Sequence, residues 1–349
     1  SHLNLMRGGE PVPRDDYVFP SGIVDALAVA RHFDQGAAIV LPRANESFDE
    51  LSYLVRGLEA ELGCRAQTNA YLSPPGASAF VPHYDSHDVI AVQAFGSKAW
   101  KIFESPWPVR PTVDFDKLRD QAGPESMAFT THQGDCCYLP QGVMHDAVSD
   151  GVSLHITVGI HWLRTAEVLA ALVSQANDRL PDLHHVVPPA WWLEEADADA
   201  VVAQVQAALG AMQDADAIRS CLRFLREDLV ATRQPLVPGQ MHQLASLDRL
   251  DGETQLAVRD PLLWDYTAGD EGVRLSVYGN DILLPPAAGP IVEALLALPR
   301  SGATLASLDV DVAIEEVVVV ARRLVQEGVL EILTEPGSAQ GSRPAPFMG

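Results

Sequence analysis

Residues 80–103 read F-V-P-H-Y-D-S-H-D-V-I-A-V-Q-A-F-G-S-K-A-W-K-I-F, and residues 138–160 read Y-L-P-Q-G-V-M-H-D-A-V-S-D-G-V-S-L-H-I-T-V-G-I. Both stretches are rich in β-branched and aromatic residues and are broken by Gly and Pro, which predicts short strands joined by turns. Side chains two apart in a strand share a face. A strand running from His83 to Ala94 would therefore set His83 and Asp85 side by side, with Tyr84 on the opposite face. His145 follows a Leu-Pro-x-Gly turn, where a side chain from a distant strand would be presented. Lys98 opens the strand that returns from Gly96-Ser97, and Trp100 and Ile102 share its face.

Two histidines and a carboxylate on one side of a metal are the facial arrangement of non-haem Fe(II) sites, which leaves positions open for a chelating cosubstrate and dioxygen. His83, Asp85 and His145 offer that set. An H-x-D pair also arises in strands by chance, and His145 taken alone is equally a polar turn residue. His87 lies on the face of His83, but ~13 Å further along at the usual rise per residue, so it reads as a rim residue. A lysine on a partly apolar face suits the far carboxylate of a dicarboxylate cosubstrate. A lysine beside Gly-Ser is also the ordinary exposed residue of a hairpin.

Outward from this block, residues 23–33 look like a short helix capped by Ser21, residues 37–41 a small strand, and residues 48–62 a helix ending at Gly63. Residues 1–20 carry no periodic pattern. A strand at 67–73 leads to the Pro74-Pro75-Gly76 turn, and residues 104–130 read as a long connection. Short strands with turns and no repeats predict a jelly-roll or cupin barrel, an α+β chain overall. Ala- and Leu-rich segments at 167–177, 193–209 and 215–232 predict helices, and 235–239 a linker. Strand-like pieces at 274–277 and 282–284, helices at 290–298 and 313–328, and a closing strand at 329–333 suggest a small winged-helix-like domain. The expected organisation is a catalytic barrel at 1–164, a helical segment at 165–235, a winged-helix-like domain at 236–335 and a disordered tail at 336–349.

The chain has 349 residues, 47% hydrophobic, with a net charge of -23 and a pI near 4.7. That acidity repels nucleic acid and anionic lipid and favours basic polypeptides. Residues 240–335 hold six Lys/Arg against sixteen Asp/Glu, so no DNA- or RNA-reading face is expected there. The four cysteines, Cys64, Cys136, Cys137 and Cys221, lack metal spacing and read as reduced thiols of a cytoplasmic protein. No apolar run is long enough for a membrane span.

Together these segments resemble the JmjC-type, cupin-4 family of 2-oxoglutarate oxygenases, which includes the ribosomal oxygenases. The matching motifs are N-A-Y-L-S-P-P-G at 69–76, P-H-Y-D at 82–85, G-S-K-A-W at 96–100, G-D-C-C-Y-L-P-Q-G at 134–142 and S-L-H-I-T-V-G at 153–159. The resemblance implies that His83, Asp85 and His145 hold Fe(II) and that Lys98 binds the far carboxylate of 2-oxoglutarate. It implies that His155 and Thr157 line the cosubstrate pocket, that Asn69 and Tyr71 contact the substrate residue, and that residues 165–235 form a homodimer interface. The activity it implies is dioxygen-dependent hydroxylation of an Arg or His side chain of a ribosomal protein, coupled to conversion of 2-oxoglutarate to succinate. The chain departs from the family at Val143-Met144, where a bulky aromatic is usual, and in a shorter lead-in. Rival readings are a hydroxylase of a small molecule or natural-product peptide, an N-methyl-lysine demethylase, and a non-catalytic binding protein on a cupin scaffold.

Overall fold

The computed structural model describes residues 3–78, 80–104, 122–177, 180–187 and 198–333. The chain divides into two compact units, Ser1–Trp162 and Leu163–Gly349.

The first unit runs β1 (Asn4–Arg7), β2 (Glu10–Pro11), α1 (Ala26–Asp34), β3 (Ala38–Leu41), α2 (Asp49–Leu62), β4 (Arg65–Ser73), β5 (Asp88–Phe95), β6 (Ser97–Phe103), β7 (Glu125–His132), β8 (Cys136–Leu139), β9 (His145–Ser149) and β10 (Ser153–His161). The strands form two antiparallel sheets, ordered β2-β1-β3-β4-β10-β5-β8 and β7-β6-β9. Their inner faces meet where Val89, Ala91 and Leu139 of the larger sheet pack on Trp100, with Ile102, Phe129 and Ala147 around it. This is the expected double-stranded barrel. Helix α2 supports β4 through a buried pair: Arg56 Nε lies 3.2 Å from Glu59 Oε2, and Glu59 Oε1 accepts from the Ala66 amide at 3.1 Å. Gly63 takes φ 61° to end that helix, and Gly96 takes φ 68° between β5 and β6, where a Cβ would strike the Val152 carbonyl.

Four local expectations are corrected. The strand expected from His83 begins only at Asp88; before it, His83 alone pairs, in an isolated bridge with His145. Pro82 has no amide to give a ladder, and the Asp88 carboxylate is fixed by Tyr138 Oη, the Gln141 amide and Trp162 Nε1. Residues 4–11 form a hairpin that extends the larger sheet and buries Leu5, a fold signalled by the Gly8-Gly9 turn. Helix α1 is capped by Asp25, which accepts from the Leu27 and Ala28 amides, instead of by Ser21, because Val24 is bridged to Val18. Residues 125–130 belong to β7, not to the connection; residues 105–121 lie outside the described residues.

The second unit begins with α3 (Thr165–Ala176), α4 (Ala198–Ala211) and α5 (Ala215–Ala231). Residues 193–197, expected to start the second of these, lie outside the described residues, as does the tail 336–349. Leu172, Met212 and Cys221 form the buried centre of this part, while Leu169, Val202, Val205, Leu209 and Phe224 remain exposed. There follow α6 (Gln240–Ser246), β11 (Gln255–Val258), β12 (Trp264–Gly269), β13 (Gly272–Val277), β14 (Asn280–Leu284), α7 (Gly289–Leu296), β15 (Ala303–Thr304), α8 (Ile314–Gln326) and β16 (Leu330–Ile332). Two three-stranded sheets, β15-β11-β16 and β12-β13-β14, share a core in which Leu256, Leu275, Val292 and Leu324 are fully buried. Among the described residues no helix is long and apolar enough to cross a membrane, and all four cysteines are free.

Candidate metal centre and cosubstrate cavity

A cavity of about 760 Å³ opens inside the first unit, and all eight residues singled out from sequence line it: Asn69, Tyr71, His83, Asp85, Lys98, His145, His155 and Thr157. The irregular segment before β5 and the first residue of β9 are tied by two backbone bonds, His83 amide to His145 carbonyl at 3.0 Å and the reverse at 2.7 Å. The Gly142 amide also donates to the Asp85 carbonyl at 2.9 Å. The Leu-Pro-x-Gly turn therefore holds the H-x-D segment directly, and the regular strand expected there is not needed.

One ligand atom from each of His83, Asp85 and His145 lies within 4.8 Å of the others. His83 Nδ1 sits 2.8 Å from the Val81 carbonyl and His145 Nδ1 sits 2.9 Å from the Val143 carbonyl. A carbonyl only accepts, so each Nδ1 carries a proton, and Nε2 is the ring nitrogen that a metal would use. Burial, and next the neighbouring His83, push the His145 imidazolium down to about 4, with Asp85 opposing, so His145 is neutral at physiological pH. Two imidazoles and one carboxylate make a donor set suited to a divalent first-row cation.

Lys98 is not an exposed hairpin residue. It is 1% exposed, among the largest fully buried side chains of the protein. Burial lowers its ammonium to about 8, with Asp146 opposing. Its Nζ lies 3.2 Å from His155 Nδ1. Burial, and next the Lys98 ammonium, hold His155 well below its ordinary value, so Nδ1 accepts and the ammonium donates. His155 stacks on Tyr71 with centroids 4.7 Å apart at 10°, and burial raises the Tyr71 hydroxyl to about 12. Trp100 packs edge-on against His155 and 6.0 Å from the His145 ring, and its Nε1 donates to Thr131 Oγ1 at 2.9 Å. Asn69 Oδ1 accepts from the Arg43 amide at 3.0 Å, which fixes that side chain at the wall.

Sequence reasoning missed two contributors. His161 lines the cavity, and period-2 counting from His155 along β10 would have found it. Asp88 is buried and bonds the turn at Gln141; a lone carboxylate gives no sequence signal for that role. His87, expected at the rim, also lines the cavity.

Residues 45–168 match the JmjC domain family, a window that includes all eight residues. The chain is 29% identical over 204 residues to the bifunctional lysine-specific demethylase and histidyl-hydroxylase NO66 of Dictyostelium discoideum, covering 53% of this chain and 39% of that one. It is 31% identical over 144 residues to ribosomal oxygenase 2 of Bos taurus, covering 40% of this chain and 31% of that one. The chain thus spans well under half the length of these relatives. Among solved structures it resembles Escherichia coli YcfD, a ribosomal oxygenase, in complex with cobalt and 2-oxoglutarate: TM-score 0.53, 16% identity, 95% of this chain and 87% of that one. The complex of the same protein with cobalt and succinic acid gives a TM-score of 0.54 at the same identity and coverage. At that identity the likeness establishes the fold.

Proposed function

We propose that this chain, which carries a JmjC domain over residues 45–168, is an Fe(II)- and 2-oxoglutarate-dependent oxygenase that hydroxylates a C–H of a polypeptide side chain, an Arg or His of a ribosomal protein. The observation that carries the proposal is the convergence of His83, Asp85 and His145 in the same cavity as a fully buried lysine. A buried ammonium is costly to keep, and a dicarboxylate that binds the metal by its 2-oxo acid end offers Lys98 a partner for the other end.

His83, Asp85 and His145 would hold the iron. When bound, iron with 2-oxoglutarate and dioxygen supplies the oxidising power for hydroxylation. The chain's own residues do the rest. Lys98, braced by His155, holds the far carboxylate. Thr157 closes the pocket beside it, and Tyr71, kept protonated by burial, offers a neutral hydroxyl to the wall. Asn69 and Tyr71 face the substrate residue. The apolar packing around Trp100 keeps water from the back of the site.

The names of the relatives, ribosomal oxygenase and histidyl-hydroxylase among them, support a ribosomal protein substrate. The net charge of -23 suits a basic one. Residues 165–235 serve as a homodimer interface in this reading, supported by the exposed Leu169, Val202, Val205, Leu209 and Phe224. Residues 236–335 form a winged-helix-like domain that binds protein instead of nucleic acid, supported by its acidic balance. A cytoplasmic location accords with four free cysteines and a ribosomal substrate.

The test is incubation of the protein with Fe(II), 2-oxoglutarate, air and a ribosomal protein fraction, followed by mass spectrometry. One added oxygen on an Arg or His of one ribosomal protein, absent with Asp85→Ala, is the expected result. Succinate formation that ignores the fraction would move the substrate to a small molecule or specialised peptide.

A further inference from the structure

We infer that His87, seated against His161 in the space left by Gly159, is a specificity-determining wall at the substrate end of the cavity, where it selects a planar side chain; the inference rests on the oxygenase reading above. Strands β4 and β10 pair Tyr71 with His155, Asn69 with Thr157, Gln67 with Gly159 and Arg65 with His161. Alternation sets Gln67, Asn69 and Tyr71 on one face with His155, Thr157 and His161, and all six line the cavity. This face has two ends. At one, buried Lys98 meets His155. His161 stands six residues further along β10, about 20 Å away at the usual rise. A five-carbon dicarboxylate held between Lys98 and the metal ligands leaves that far end to the substrate.

The far end is built around His87. Its ring stacks on His161 with centroids 4.4 Å apart at 13°. A Cβ on residue 159 would lie 2.5 Å from His87 Nε2 and 2.6 Å from its Cδ2, so the ring fills room that only glycine leaves. His87 also follows Asp85 by two residues, so their Cα atoms lie within about 7 Å of each other. An imidazole carries both a flat π surface and polar ring nitrogens, and of His87 it is the Nε2 edge that is set against Gly159. A guanidinium or an imidazole can lie against such a wall and hydrogen-bond to it. A branched aliphatic chain can touch the wall but cannot hydrogen-bond to it.

The experiment is isothermal titration under nitrogen, with Mn(II) in place of iron and 2-oxoglutarate bound. The probes are three acetylated and amidated Gly-X-Gly peptides, with X as Arg, His or Leu. Wild type should bind the Arg or the His peptide about tenfold more tightly than the Leu peptide. Gly159→Ala displaces the ring without removing a polar group, and it should abolish that preference, as should His87→Ala. His87→Phe, which retains a flat ring, should keep the planar preference in part. The 2-oxoglutarate affinity of all three variants should stay within about twofold of wild type, since Lys98 lies at the other end of the face. Equal binding of all three peptides by wild type, no peptide binding at all, an unchanged preference in Gly159→Ala and His87→Ala, or a matching loss of 2-oxoglutarate affinity would each overturn the assignment. A wild type that binds no 2-oxoglutarate would instead remove the oxygenase reading beneath it.

Discussion

Replacing Lys98 by Met should make the ligand-free protein more stable and its cosubstrate site useless. Lys98 is 1% exposed, and burial lowers its ammonium from 10.5 to about 8. At about 1.4 kcal/mol per pH unit, keeping that charge at pH 7 costs the fold about 3 kcal/mol. The unfolded lysine keeps its proton up to 10.5 while the folded one releases it near 8. Between those values the unfolded chain binds more protons, so stability rises with pH; below about 8 the full cost is present. Met keeps the unbranched shape and removes the charge. It also strips His155 Nδ1 of its donor, a loss of about 1 kcal/mol. The expected net gain is roughly 2 kcal/mol at pH 7, falling to about zero near pH 10. Urea denaturation without 2-oxoglutarate, at pH 7 and pH 9.5, measures it, and titration with Mn(II) and 2-oxoglutarate measures the functional loss. A variant less stable than wild type at pH 7 would mean the ammonium is already well paired inside the fold. A variant that still binds 2-oxoglutarate with wild-type affinity would refute the role given to the lysine.

Other substitutions probe the scaffold and the metal centre. Glu59→Ala removes the carboxylate that faces the buried Arg56 and the acceptor of the Ala66 amide, and should cost about 3–5 kcal/mol by urea denaturation. Asp88→Ala leaves Tyr138, Gln141 and Trp162 without their shared acceptor and should cost about 2–4 kcal/mol; it should also weaken Mn(II) binding, because the turn that presents His145 loosens. Asp85→Ala should eliminate tight Mn(II) binding, read by electron paramagnetic resonance, while leaving the urea midpoint near wild type. Trp100→Ala removes the centre of the inter-sheet cluster and should cost about 3–5 kcal/mol, measured in the same way.

The site was legible in the sequence to a greater depth than the path of the chain around it. His83 and Asp85 are marked by their H-x-D spacing, His145 by the Leu-Pro-x-Gly turn before it and Lys98 by the Trp100 and Ile102 that share its face, and the structure gathers all four about one cavity. The local geometry is less legible: period-2 counting makes a strand of residues 83–87, yet Pro82 and the anchoring of Asp88 keep the ladder from starting before Asp88. The N-terminal hairpin is not legible from periodicity, because two strands of four and two residues are too short to display alternation. The roles of Asp88 and of the Arg56–Glu59 pair depend on partners many residues distant, or on burial that no local pattern announces. For Lys98 the sequence allows both a hairpin surface and the barrel interior, and its exposure of 1% decides between the two. In the second unit, the long amphipathic segments gave α3, α5 and α8 nearly to the residue, whereas α6 and β11, each shorter than two helical turns or one ordinary strand, carried too little pattern to be seen.

The central claim is most directly tested by following succinate release from 2-oxoglutarate with Fe(II) in air, wild type beside His83→Ala, with 2-oxoglutarate binding measured in parallel in the presence of Mn(II). The account predicts metal-dependent binding and turnover in wild type, and loss of both in the variant with the fold retained. Wild-type protein that neither binds 2-oxoglutarate in the presence of metal nor releases succinate would contradict it, and would leave a barrel that keeps the ligand set but serves as a binding protein.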